Sequence, residues 1–235
     1  MIKLGFQSSK YDNLNLEEEI QFSQSSDIDF FDVFFDGFGP KDVLNVELPS
    51  IVTVHAPYGF GKLSKEFQQP YFDYVNSKGA KVFTLNFIDL TLDVVEHICK
   101  NIKEAAICIE NNIPDRNEFT DETYLDFIVK AHDMAVEKGF KIYAALDVGH
   151  AKVNGYDPLE VAKQLNSKGI EIVGLHLHDN DGHEDQHRPA GSIYNGINFD
   201  ELLSFFNKQK YDVYGAIEHW NNNYNALEYL RNLQN

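Results

Sequence analysis

Three stretches of this chain share one design: SKGAKV from Ser77, EKGFKI from Glu137 and SKGIEI from Ser167. In each, a lysine sits at the negative end of a helix dipole and a glycine takes the left-handed conformation that ends the helix. A β-prone run then begins almost at once. A helix passing into a strand through so short a turn, three times over, predicts alternating helices and strands. That alternation implies parallel strands joined by crossover helices.

The apolar runs agree. IKLGFQS from Ile2, FFDVFFD from Phe30, IVTVHAP from Ile51 and AKVFTLNF from Ala80 are followed by AAICIEN from Ala105, KIYAALDVG from Lys141, EIVGLHLHD from Glu171 and VYGAIEHW from Val213. These are eight candidate strands. Between the later ones, ETYLDFIVKAHDMAVEKG places Tyr124, Leu125, Ile128, Ala131, Met134 and Ala135 on one helical face. Asp157-Pro158-Leu159-Glu160 predicts a helix N-cap, a proline at the first helical position and a reciprocating glutamate. Asn198-Phe199-Asp200-Glu201 predicts the same cap without proline. Eight strands and eight helices in 235 residues fit an α/β fold, a single-domain (β/α)8 TIM barrel over residues 1–235, a fold that typically takes ~250 residues. A doubly wound open sheet is the alternative, but no strand leads into a glycine-rich phosphate-binding fingerprint.

With 37 acidic against 20 basic residues the formal net charge is −17, which repels polyanions at long range and makes nucleic acid an unfavoured partner. The opening MIKLGFQSSKYDNL lacks the apolar core of a signal peptide. No stretch approaches the ~20 apolar residues of a membrane span. Cys99 and Cys108 sit in apolar surroundings and form no CxxC motif, which reads as reduced core thiols in a cytoplasmic protein. A homo-oligomer is compatible with this sequence, which does not fix the state of assembly.

In such a barrel chemistry is done at the carboxyl ends of the strands, and the acids and imidazoles fall there. His55 closes strand three, Glu110 strand five, and Asp147 with His150 strand six; His176 ends strand seven and Glu218 strand eight. Taken singly, each reads as readily as a cap, a surface charge or a hydrogen-bonded core histidine. Together they must be neutralised, and no lysine stands at these strand ends. A divalent cation (Mn²⁺, Zn²⁺, Co²⁺ or Mg²⁺) would do so, held by mixed oxygen and nitrogen ligands. HLHDNDGHEDQHRPAG, from His176, is then a ligand-bearing loop. Asp185 and His187 with His150 form a further layer that holds a second ion or orients the first ligands. His178, His183 and His219 read as ordinary polar residues, and His97 and His132 as surface or packing residues of helices. Tyr11, Phe38 and Lys41, after strands one and two, read as pocket-lining.

The series VHAPYG, ICIENN, LDVGHA, HLHDNDGHEDQHRPAG and AIEHW, in that order, resembles the xylose-isomerase-like barrels, which include sugar and sugar-phosphate isomerases and epimerases and endonuclease IV. The resemblance runs the length of the chain. It implies a metal on Glu110, Asp147, His176 and Glu218, with one or two ions in all, and further ligands at His55, His150, Asp185 and His187. It implies proton transfer next to the carbonyl of a small sugar or sugar phosphate through a metal-stabilised enediolate. Glu110 and Glu218 would serve as acid and base, while His150 and Arg188 polarise oxygens or grip a phosphate. Two departures stand out: Asn86 is the residue nearest the place where the endonuclease pattern has a strand-four histidine, and HRPAGSIYNGINF interrupts the usual P-x-G-x-G run. The alternative functions are an endonuclease IV-like phosphodiesterase and a metal-holding barrel without turnover.

Overall fold

The structure, a computed structural model, describes residues 1–8, 15–35, 39–43, 46–113, 121–218 and 223–234. Tyr11, Phe38 and His219 lie outside the described residues. Eight strands close a parallel barrel in sequence order: β1 (Ile2–Gln7), β2 (Phe30–Phe34), β3 (Val52–His55), β4 (Val82–Asn86), β5 (Ala106–Glu110), β6 (Tyr143–Asp147), β7 (Ile172–Leu177) and β8 (Val213–Ile217). β8 returns to pair with β1, Phe6 lying opposite Ile217. All eight strands fall on the expected runs.

The helices are α1 (Leu16–Gln24), α2 (Pro40–Val43), α3 (Lys65–Lys78), α4 (Leu92–Asn101), α5 (Asp121–Glu137), α6 (Val148–Val153), α7 (Pro158–Ser167), α8 (Phe199–Asn207) and α9 (Asn223–Gln234). Eight were expected. The additional one, α6, is a six-residue helix that springs directly from β6, because the Asp147 side chain accepts the His150 N–H and caps it. Gly79, Gly139 and Gly169, the glycines of the three repeated turns, have φ of 59°, 78° and 78°, as a left-handed helix stop requires. Asp157 caps α7 as expected, accepting from the Leu159 and Glu160 amides, and Asn198 caps α8. The reciprocating half of the Asp157 cap is not made: Glu160 takes the ammonium of Lys163 at 2.6 Å instead. A complete reciprocal cap forms where the sequence reading had none, between Asn15 and Glu18 on α1.

Alternation along the strands divides the side chains into two sets. Outward residues such as Leu4, Phe6, Val54, Phe83, Leu85, Leu146 and Leu175 join helix residues such as Tyr124, Ile128, Ala131 and Ala135 in the main core. A smaller inner cluster of Val82, Cys108, Ala145 and Val173 fills the barrel below the mouth. Cys99 on α4 and Cys108 are free thiols, both buried. The Tyr124 hydroxyl crosses from α5 to donate to the Ile109 carbonyl at 2.9 Å, tying the helix to β5. Tyr124→Phe should therefore lower stability by about 1 kcal/mol, the usual net worth of such a bond. Urea denaturation should show this as a lower midpoint with an unchanged slope.

No helix among the described residues is long and apolar enough to cross a membrane.

Candidate metal and active site

The strand ends deliver Gln7, Phe34, His55, Asn86, Glu110, Asp147, His176 and Glu218 to one mouth, the carboxyl end of the barrel. Of these, Glu110 lies deepest in charge. One carboxylate oxygen is 2.8 Å from His55 Nε2, and the other is 2.7 Å from His176 Nδ1. Burial alone would raise its pKa, but the imidazoles of His176 and His55 outweigh this and hold it well below the ordinary carboxylate range.

Asp147 divides its two oxygens between structure and site. Oδ1 accepts from the His150 amide at 2.7 Å and faces His178 Nε2 at 3.0 Å. Oδ2 has no hydrogen-bond partner. Its backbone is fixed by Asn111, whose side-chain amide bonds to both the N–H and the carbonyl of Asp147. Beside it, His176 Nδ1 lies 3.8 Å from Asp147 Oδ2 and 3.4 Å from Glu218 Oε2.

A second group adjoins the first. His150 Nε2 is 3.6 Å and His187 Nε2 is 3.0 Å from Asp185 Oδ2, while His178 Nε2 is 3.8 Å from Asp185 Oδ1. The rings of His178 and His187 stack at 4.1 Å, nearly parallel. The His187 backbone has φ of 45°, a left-handed conformation that a non-glycine residue adopts only when its surroundings enforce it. Here both ring nitrogens are engaged, by the Glu218 carbonyl at 2.9 Å and by Asp185.

The loop that carries this group is pinned by Asp179. Its carboxylate accepts from the amides of Asn180, Ile193 and Ile197, and its backbone pairs in both directions with Arg188. Arg188 is otherwise exposed, and its guanidinium makes no hydrogen bond or ion pair with the described residues.

The protonation of these histidines follows from their partners. His55 presents Nδ1 to the Ala56 carbonyl and Nε2 to Glu110, both of which only accept. His187 likewise faces a carbonyl and a carboxylate. Each ring therefore holds two protons and is an imidazolium. Burial opposes that charge in both, but Glu110 raises the pKa of His55, and Asp185 and Glu218 lift that of His187 to about 9. His150 and His176 are raised against burial in the same way, by Asp147 and by Glu110 respectively. The histidines are thus positive partners for these carboxylates where no cation is bound.

What speaks for a cation is the set of atoms the histidines leave unsatisfied. Asp147 Oδ2 and Glu218 Oε2 are buried without a hydrogen-bond partner, and His176 Nδ1, paired with Glu110 at 2.7 Å, lies beside both. Asp147, His176 and Glu218 also form a group whose ligand atoms lie within 4.8 Å of one another. Two carboxylate oxygens without partners, converging with one imidazole nitrogen, suit a divalent ion. The other such groups are Glu110/Asp147/His150, His55/Glu110/His176 and His150/His178/Asp185/His187. His178 was read from sequence as an ordinary polar residue, and that is a correction. It is fully buried and belongs to the second group. Its position two residues beyond His176, where alternation returns a side chain to the same face, is the signal that could have found it.

A metal ligand must be an unprotonated imidazole, so loading a cation expels protons. Titration of Mn²⁺ or Zn²⁺ by calorimetry in two buffers of different ionisation enthalpy should give different apparent heats, and affinity should rise with pH. Equal heats in both buffers would show the imidazoles to be already neutral. The sign for the metal-free fold is the opposite. His187 is raised from 6.5 to about 9, so its ion pair contributes stability that is complete below about pH 6.5 and is lost as pH rises through about 9.

No protein-family model matches this sequence. A 75-residue segment is 39% identical to an uncharacterized protein of Methanocaldococcus jannaschii, a match spanning 32% of this chain and 25% of that relative. Among solved structures, a D-tagatose 3-epimerase-like protein superposes with a TM-score of 0.77 at 20% identity, over 98% of this chain and 96% of the other. A xylose isomerase domain protein of Alicyclobacillus acidocaldarius gives 0.65 at 12% identity, covering 100% and 98%. Endonuclease IV of Thermus thermophilus gives 0.61 at 13%, covering 98% of each chain. The chain shares the eight-stranded parallel α/β-barrel fold of these structures.

Proposed function

We propose that this protein is a divalent-metal-dependent isomerase or epimerase of a small sugar, acting by proton transfer at carbon next to a carbonyl. The observation that carries the reading is the convergence of two unpartnered carboxylate oxygens, on Asp147 and Glu218, with the imidazole of His176 at the mouth of this barrel. The likeness to an epimerase-like structure over nearly the whole chain supports it. Asp147, His176 and Glu218, with Glu110, would hold the ion, which would supply Lewis-acid stabilisation of negative charge developing on a substrate oxygen.

The chain's own groups supply the proton traffic. Glu110 and Glu218 close β5 and follow β8, with Asp147 and His176 between them, so two carboxylates flank the place where a substrate would lie. Glu218 is less enclosed than Glu110, with 13% against 2% of its side-chain surface exposed, and would take the proton from carbon through the oxygen not given to the ion. Glu110 on the other side is ionised and has no proton of its own, so the proton returned to carbon would pass through it from the imidazolium of His55 or His176 that faces it. His150 steadies the substrate oxygens, and whether the substrate carries a phosphate for Arg188 decides that residue's part. Two reduced thiols fit a cytoplasmic enzyme.

The second group, with its additional ligand His178, favours one other reading: a phosphodiesterase using clustered ions to activate water, as likeness to endonuclease IV suggests. The −17 charge weighs against a polyanionic substrate. The test is metal analysis of the purified protein, followed by incubation with a panel of aldoses, ketoses and their phosphates in D₂O. Deuterium appearing at carbon supports the isomerase reading. Cleavage of an abasic-site oligonucleotide, with no sugar labelled, would replace it.

A further inference from the structure

Three of the eight strand ends at the mouth, those of Gln7, Phe34 and Asn86, are not ionisable. Phe6 stacks outward on Phe22 of α1 at 5.6 Å, so its neighbour Gln7 faces the barrel axis. Gln7 is 1% exposed, yet neither its amide oxygen nor its amide nitrogen has a hydrogen-bond partner. On β4, Asn86 accepts from Asn112 at 2.8 Å through its oxygen, which fixes the amide and leaves the buried nitrogen unpartnered. Between these strands Phe34 turns an apolar ring into the mouth, edge-on to His55 at 4.6 Å and to the exposed Tyr58 at 5.7 Å.

Buried amide groups without partners cost about 1–3 kcal/mol each, and native interiors rarely keep several together without something to satisfy them. An amide offers both a donor and an acceptor, as a hydroxyl does. An aromatic ring beside it accepts the C–H face of a carbon chain.

We propose that Gln7 and Asn86, with Phe34 as the apolar wall between them, recognise the hydroxyls of the uncharged end of a monosaccharide, remote from the reacting carbons. The inference rests on the isomerase reading of the ionisable strand ends and narrows it to unphosphorylated sugars. Gln7 and Asn86 are then specificity residues, and the carboxylates across the mouth do the chemistry. A site built to hydrogen-bond a hydroxyl strongly rejects an analogue lacking it, because its own buried polar groups are left unpaired.

The experiment compares D-fructose, its 6-deoxy analogue and its 6-phosphate, with the other free ketohexoses in parallel, by deuterium exchange with the metal-loaded protein. Binding of linear alditols (D-glucitol, galactitol, D-mannitol) is measured by calorimetry on the same samples. The parent should prefer free sugar to both the deoxy and phosphorylated forms by at least tenfold. Gln7→Met, close in shape but without the amide, should reduce the preference over the deoxy analogue to within about threefold and raise KM more than it lowers kcat. Gln7→Asn, which keeps an amide, should restore part of it. Unchanged thermal unfolding midpoints guard against a merely structural effect, and Asn86→Leu gives a second variant if one fails to fold.

Preference for the 6-phosphate, or full discrimination kept by both Gln7→Met and Asn86→Leu, overturns the proposal while leaving the isomerase reading intact. Absence of exchange with every sugar sinks that reading instead, and the alditols then decide the subsite. Binding to the parent that weakens tenfold or more in Gln7→Met upholds it; no binding, or equal binding, ends it.

Discussion

Metal-loaded Glu218→Gln and Glu110→Gln should each exchange substrate carbon protons with solvent about 10²–10⁴ times more slowly than the parent, the usual contribution of a positioned acid or base. Their effects on the fold should differ. Glu218 already has a carboxylate oxygen without a hydrogen-bond partner, so glutamine there disturbs little beyond the site. Glu110 is the shared counter-ion of His55 and His176, at 2.8 and 2.7 Å. Removing its charge leaves two buried imidazoliums facing a neutral amide, and breaking a buried pair in this way typically costs about 3–5 kcal/mol. Metal-free Glu110→Gln should therefore melt well below the parent, and metal-free Glu218→Gln close to it. Metal content must be measured beside each rate, because a variant that has lost its ion says nothing about proton transfer. If both metal-replete variants exchange protons at the parent rate, the two-carboxylate mechanism is wrong.

Gly149→Ala should be severely destabilising, although alanine in a helix is worth about 1 kcal/mol over glycine. Gly149 lies in α6, and a Cβ built there would overlap the Cε1, Nε2 and Nδ1 atoms of His178. That ring has no room to withdraw: it is held by Asp147 at 3.0 Å on one nitrogen and stacked on His187 at 4.1 Å. Overpacking of this kind costs about 1–3 kcal/mol. The alternative, expelling the ring, dismantles the group His150/His178/Asp185/His187. Either way, affinity for a second equivalent of Mn²⁺ or Zn²⁺ should fall about 10–100-fold, the scale seen when a supporting residue of a metal site is lost. Replacing His178 by alanine in the same chain should relieve the clash and recover stability without recovering the ion. An alanine variant as stable as the parent that still takes up two equivalents would show this packing to be incorrect.

The barrel was readable because its punctuation is local. A lysine and a glycine within five residues of the next strand fix where three of the helices stop, and Gly79, Gly139 and Gly169 do so in the structure. α6 was not readable: six residues carry too little periodicity, and the cap that nucleates it is Asp147, which in sequence reads as the end of a strand. Glu160 failed as a reciprocal cap because Lys163, one turn on, competes for the same carboxylate. The strand ends named the ionisable residues of the mouth, since acids and imidazoles after apolar runs stand out. Asn86 stood out only as the place of an absent histidine and Gln7 not at all, because a neutral amide in an apolar run looks like noise until its lack of partners is seen. The charge balance was also beyond sequence. Whether a histidine carries one proton or two depends on both of its neighbours, and for His187 these are a backbone carbonyl 31 residues away and a carboxylate two residues away.

The two buried cysteines make this chain its own reporter of how it comes apart. A thiol is alkylated as the thiolate, and only when reagent can reach it. Burial raises the pKa of both: Cys99, on the helical shell, to about 11, and Cys108, enclosed by the strands, further still. Detachment of α4 suffices to expose the first, whereas the second requires strands to part. Two labelling rates from one unmodified sample would then measure peripheral fraying and barrel opening separately. Their ratio, followed as an ion is titrated in, would tell whether ligands at the mouth hold the whole ring closed or only its near edge.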